Sequence, residues 1–226
     1  MTSQDSYTPH VEVGGPAAMR VLSTLIIRKA AVGPMDNNAY LLTCRVSGAQ
    51  LLIDAAADAP RLLQLVREGS PTSRLDTIVT THQHQDHWGA LAQVEAATGA
   101  VTAAGAEDMA GIPVTTAEPL RQGDTIRVGV HDLEVIVLRG HTPGSVALLW
   151  RGGGEGDHLF TGDTLFPGGV GATQSDPKRF RLLLGDVRER IFDRLGDGTW
   201  VYPGHGDDTT LGTERPHLDA WAERGW

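Results

Sequence analysis

The chain has 226 residues, enough for one domain with a sizeable core and no need of disulfides, and its single cysteine, Cys44, permits none within the chain. Its 19 basic and 28 acidic residues leave a formal charge of −9, which argues against a surface that coats nucleic acid. Met1 to Gly15 carry no basic, apolar leader and no apolar run reaches the ~20 residues of a membrane helix, so the reading is a cytoplasmic protein with no membrane partner.

In chain order, residues 1–18 are expected to form a poorly ordered N-terminal extension and 19–226 a single domain. Val21–Ile27, Ala39–Arg45 and Gln50–Ile53 read as strands, the second with Cys44 as a buried residue of the alternating run Tyr40–Val46. Pro60–Glu68 gathers Leu62, Leu63, Leu65 and Val66 on one helical face and is closed by Gly69 and Pro71. A strand over Asp76–Thr80 enters a histidine-rich run, followed by a helix over Trp88–Thr98 and a short strand over Ala100–Ala103. The second round has strands over Thr125–Val128, Leu133–Leu138, Ser145–Trp150 and His158–Thr161, with Gly152–Gly156 as a hairpin tip. A helix over Pro177–Leu195, a strand over Thr199–Tyr202 and a tail from Thr213 to Trp226 with a short helix complete the chain. Two rounds of strands broken by helices fit an α/β fold of two packed sheets covered by helices on the outside.

The run His82-Gln83-His84-Gln85-Asp86-His87 puts three imidazoles and a carboxylate into six positions. These are donors that Zn²⁺ and similar cations prefer, and residues two apart on an extended chain point the same way, so His82 and His84 can grip one ion. Asp86 and His87, where the chain turns toward a helix, are displaced toward a second ion. No single segment closes two coordination spheres, so further ligands are expected in Gly/Pro loops at strand ends. Three such places exist: Gly140-His141-Thr142-Pro143-Gly144, Thr161-Gly162-Asp163-Thr164-Leu165 and Tyr202-Pro203-Gly204-His205-Gly206. His10, His131, His158 and His217 lack this context and read as surface or packing residues.

With these motifs in order, the chain resembles the metallo-β-lactamase superfamily over about residues 20 to 215, and within it the short, glyoxalase II-like (hydroxyacylglutathione hydrolase-like) thioesterases. The resemblance implies an αββα four-layer sandwich of two mixed sheets flanked by helices. It implies that His82, His84 and His141 ligate a first metal, that Asp86, His87 and His205 ligate a second, and that Asp163 bridges them. The cofactors would be two divalent ions, zinc first, with iron or manganese as substitutes. A metal-bound hydroxide would attack the acyl carbon of a small acyl-thiol such as S-lactoylglutathione, with Asp86 as the catalytic group that orients the water. Beyond Gly206 no helical second domain of the kind that long-form glyoxalase II carries is expected.

Substrate contacts are expected from Tyr40 and Phe166 on the cleft wall and from Lys178 and Arg179, at the start of a helix, holding a carboxylate. Two alternatives use the same ligands: a single-iron persulfide dioxygenase, and a hydrolase of other bonds such as a lactonase or β-lactamase.

Overall fold

The computed structural model describes residues 7–70, 72 and 74–225; residues 1–6 of the expected extension, the helix-closing Pro71, and Trp226 lie outside the described residues. Ser23 and Thr24 interrupt the apolar run expected to be one strand over Val21–Ile27, and the Ser23 N–H goes to Glu155 rather than to a ladder partner. Two strands form instead, β1 (Ala18–Val21) and β2 (Leu25–Val32), paired antiparallel around that turn. With β3 (Asn37–Cys44) and β4 (Gln50–Ile53) they make an antiparallel half-sheet.

From β4 the connections become helical crossovers. α1 (Ala59–Gly69) leads to β5 (Thr77–Thr80), α2 (Leu91–Thr98) leads to β6 (Val101–Gly105), and β7 (Glu118–Leu120) closes the edge, all parallel. Asp58 caps α1 by accepting from the Arg61 N–H, and Leu62, Leu65 and Val66 bury its inner face. Three-residue β7 is an edge strand whose sequence reads as loop, because Pro119 removes a ladder donor.

The second sheet runs in the order β15, β14, β11, β10, β9, β8. Its members are β8 (Thr125–Val128), β9 (His131–Val137), β10 (Val146–Arg151), β11 (Asp157–Gly162), β14 (Trp200–Pro203) and β15 (Thr209–Thr210). Only β11 and β14 pair in parallel, so both sheets are mixed. A two-stranded hairpin of β12 (Leu165–Phe166) and β13 (Gly169–Val170) leaves the end of β11. α3 (Pro177–Val187) continues into a π turn over Arg188–Phe192, where Asp193 N bonds to Arg188 O, so the helix expected to reach Leu195 winds out early. α4 (Leu211–Glu214) and α5 (Leu218–Arg224) form the tail.

Three apolar layers hold this together. Leu25, Ile27, Leu42, Leu51 and Val79 meet Leu133, Val135, Leu148 and Phe160 between the sheets. The outer face of the first sheet packs on α1 and α2 through Leu41, Leu52, Leu62 and Val94, and that of the second on α3 and α5 through Ile136, Leu159, Leu183 and Trp221. The result is a four-layer α/β/β/α sandwich. Tyr7 packs edge-on against Trp200 and Tyr202, and Val11 is buried, so the described part of the expected extension lies on the body. Among the described residues no helix is long and apolar enough to cross a membrane.

His158 is stacked between Trp150 and Tyr202 at 5.3 and 5.8 Å, with its Nδ1 2.8 Å from the Tyr202 hydroxyl and no partner for Nε2. Burial, aided by the charge of Arg20, pushes its imidazole down to about 4. A depressed folded pKa means that the stability contribution is whole above the ordinary value near 6.5 and is lost as pH falls toward 4. Wild type should therefore lose about 3 kcal/mol more unfolding free energy than His158→Phe between pH 7 and 4, read by denaturant titration. Parallel pH profiles for the two proteins would contradict this.

Candidate metal centre

Every candidate ligand sits beyond the carboxyl end of a strand, where an open α/β sheet places its ligands. β5 delivers His82 and His84, β9 leads to His141, β11 to Asp163, and β14 to His205. The chain spends Gln85–His87 on a single 3₁₀ turn, closed by Trp88 Nε1 donating to Gln83 O at 2.8 Å, which swings Asp86 and His87 into the same space and delays the expected helix start from Trp88 to Leu91.

The seven side chains converge in three overlapping groups: His82, His84 and His141; His82, His87 and Asp163; and Asp86, His87 and His205. Within each, the donor atoms lie within 4.8 Å of one another. His82 Nε2 is 3.0 Å from His84 Nδ1 and 3.2 Å from His141 Nε2. His87 Nε2 is 3.2 Å from His205 Nε2 and 3.5 Å from Asp86 Oδ2. Asp163 stands between the groups, with Oδ1 3.4 Å from His87 Nε2, and Oδ2 3.4 Å from His205 Nε2 and 3.8 Å from His141 Nε2.

In His82, His87, His141 and His205 the outward Nδ1 is occupied elsewhere, which leaves Nε2 facing the cluster. His87 Nδ1 donates to Asp54 Oδ2 at 2.8 Å, His141 Nδ1 to Ala172 O at 2.8 Å and His205 Nδ1 to Met35 O at 2.8 Å. Thr81 Oγ1 donates to Asp54 Oδ2 and so receives from His82 Nδ1 at 3.1 Å. The inward Nε2 atoms of these four rings are therefore the ones a cation can take once they are unprotonated, as in metal-ligating histidines held by outer hydrogen bonds. Ligands roughly 2.0–2.1 Å from one tetrahedral cation lie about 3.3 Å apart, matching the observed spacings. Asp163 Oδ1 is buried with no hydrogen-bond donor, and a Cβ on Gly204 would collide with it and with His87, so the cradle is open only because that residue is glycine. The donor set thus fits cations.

The electrostatics differ between the two sides. Burial, with the charge of His87, holds the His82 imidazole well below its ordinary range, and burial lowers His141 as well. Burial also opposes charge on His87, but Asp54 and Asp163 overcome it and raise that ring to about 10. Burial works against ionising Asp163, and the nearby His205 and His87 rings overcome it, so its carboxyl sits well below the ordinary value.

Three residues not singled out in the sequence shape the centre. Asp54, at the end of β4 with φ of 60°, accepts from Thr81 N at 2.7 Å as well as from Thr81 Oγ1 and His87. A left-handed aspartate is strained, and these three donors hold it there. Its signal was available, since it follows a buried strand as the recognised ligands do. Asp108 accepts from Gln83 N, Thr142 Oγ1 and Gly144 N, tying the His84 and His141 loops together; nothing local in the sequence marks it. Asn37 donates to Asp86 Oδ2 at 2.9 Å.

The expected substrate contacts fare unevenly. Tyr40 is a correction: it is 2% exposed between the sheets, because it shares the face of β3 that carries Leu42 and Cys44, and its hydroxyl donates to Pro203 O at 2.7 Å instead of lining the cleft. Phe166 is half-buried with its ring 6.4 Å from that of His205. Arg179 lines a cavity of about 550 Å³ with Gln83, His84, His141, Gln174 and Leu182. Its guanidinium donates to Gly140 O, His141 O and Gln174 Oε1, which braces the His141 turn and leaves two of its five N–H groups. Lys178 is exposed and does not line that cavity. His10 and His217 are exposed, and His131 and His158 are buried in packing roles.

Residues 32–212 match the family model described as the metallo-beta-lactamase superfamily. The probable metallo-hydrolase YqgX of Bacillus subtilis (strain 168) is 32% identical over 208 residues, covering 83% of this chain and 93% of YqgX. A hydroxyacylglutathione hydrolase of Gloeobacter violaceus is 36% identical over 182 residues, covering 80% of this chain and 67% of the relative. Among solved structures, the BLEG-1 B3 metallo-beta-lactamase superposes with a TM-score of 0.71 at 30% identity, covering 85% of this chain and 97% of that one. The chain belongs to the metallo-β-lactamase superfamily and is a hydrolase of that superfamily.

Proposed function

We propose that this hydrolase is a cytoplasmic, binuclear thioesterase acting on acylated low-molecular-mass thiols of the S-lactoylglutathione kind. The observation that carries the reading is Asp163, a carboxylate whose two oxygens face His87 on one side and His141 and His205 on the other. His82, His84 and His141 would hold one cation, Asp86, His87 and His205 the other, and Asp163 would serve both. Zinc is the first choice, and iron or manganese suit the same N/O donors. Two such cations, when bound, supply Lewis acidity toward a carbonyl oxygen and a water acidified to a pKa of about 7.

The chain's residues supply the rest. Burial raises the Asp86 carboxyl, but the Asn37 amide and the charge of His87 outweigh it, so Asp86 is an anion able to orient a water and take its proton at neutral pH. A thiolate leaves with little acid assistance, since thiol pKa values are near 8.5, so no dedicated proton donor is demanded on the leaving side. The cavity beside His84 and His141 would receive the thiol carrier, with the two remaining N–H groups of Arg179 available to a carboxylate and Lys178 adding charge on the same helix turn. Phe166 would offer an apolar wall beside His205.

A second reading, a β-lactamase, is favoured by the likeness to BLEG-1, because the same ligands would serve and only the cavity decides. Parallel assays separate them. The zinc-loaded chain should hydrolyse S-lactoylglutathione in preference to β-lactams and lactones, lose the activity on chelation and regain it with two equivalents of zinc. Preference for a β-lactam, hydrolysis that survives chelation, or a single iron with oxygen uptake on a thiol persulfide would each replace the reading.

The unequal histidines make a further expectation. A cation at His87 Nε2 must displace the proton that Asp54 and Asp163 keep there up to about pH 10, whereas His82 and His141 are neutral at pH 7. Loading the second site at pH 7 should release about one proton or more, and the first site almost none, read from the buffer dependence of calorimetric heats. Affinity of the second step should then rise about tenfold per pH unit between pH 6 and 8. Equal proton release in both steps would contradict the assignment.

A further inference from the structure

Lys29 faces inward from β2, on the face that carries Leu25 and Ile27, and its side chain has no exposed surface. Its ammonium group donates to Pro9 O at 2.6 Å, to Gly206 O at 2.7 Å and to Asp208 Oδ1 at 2.8 Å, which uses all three hydrogens. Asp208 is equally enclosed. Its Oδ2 accepts from the Tyr7 hydroxyl and from Trp200 Nε1 at 3.4 Å, and its Oδ1 lies 3.3 Å from the Tyr40 hydroxyl. Tyr40 in turn holds Pro203 O.

These contacts bracket His205. Pro203 and Gly206, two residues before it and one after, are the carbonyls that Tyr40 and Lys29 grip, and Asp208 anchors the chain beyond. A buried ion pair of this kind is commonly no more stabilising than an apolar pair of the same volume, so its geometry, rather than its energy, is what it offers. The hydrogen bonds named here go to the His205 side of the centre, not to the loops that carry His82, His84 or His141.

We infer that the Lys29–Asp208 pair, with Tyr7 and Tyr40, positions His205 and thereby sets the affinity of the Asp86, His87 and His205 cluster for its cation without affecting the other cluster. The inference rests on the binuclear reading above. It makes the segment from Tyr7 to Pro9, remote in sequence from every ligand, a working part of the centre.

The test is a zinc titration of the full chain against a chromophoric chelator. In Lys29→Met/Asp208→Leu, an apolar pair replaces the ion pair; in Tyr7→Phe, one hydroxyl is removed. The double variant should keep its first binding step within about twofold of wild type and weaken the second about tenfold, the same step that His205→Ala removes. Tyr7→Phe should weaken that step about threefold, the worth of one hydrogen bond, and decides alone if the double variant fails to fold. Two unchanged steps in the variants, or equal weakening of both steps, would overturn the inference. A wild type that takes up only one zinc would instead defeat the binuclear reading, so the two failures are distinct.

Discussion

Imidazole nitrogens gather at 3.0 to 3.2 Å inside a protein only where a shared proton or a cation offsets their desolvation and mutual repulsion. Five imidazoles and two carboxylates meet here under that constraint, and much of the surrounding structure exists to enforce it. Asp54 fixes His87 and the Thr81 hydroxyl, Thr81 fixes His82, and backbone carbonyls of Ala172 and Met35 fix His141 and His205. Strain is stored in the left-handed backbone of Asp54, and it is tolerated because three donors converge on one carboxylate.

The sandwich explains why such a site is affordable. The apolar layers between the sheets and under the helices lie away from the ligand-bearing loops, so the polar cluster displaces no core packing. Both sheets point the ends of their ligand-bearing strands toward one edge. Glycine at 204 keeps that edge open where a side chain would fill it, and Gly162 adopts a φ of 48° against Thr81 to turn the chain toward Asp163.

What was legible in the sequence was local or periodic. The His82–His87 run needs no partner to be recognised, and the strands over Gln50–Ile53 and Thr125–Val128 form with the bounds expected of them. What was not legible depended on distance or on strand parity. Tyr40 follows a polar turn, yet its position two residues before Leu42 sends it into the core rather than to the cleft. Lys29 lies beyond the expected strand Val21–Ile27, and its burial depends on Asp208, 179 residues away. The split of the first expected strand and the π turn after α3 come from side-chain and backbone hydrogen bonds that no short pattern encodes.

The central claim is that two cations share Asp163. A crystal of the chain grown with zinc, with anomalous difference maps recorded on both sides of the zinc edge, tests it directly. Two peaks roughly 3.5–4 Å apart, one bounded by His82, His84 and His141 and the other by Asp86, His87 and His205, with Asp163 between, are the predicted result. A single peak, or two that leave Asp163 in contact with neither, would contradict it.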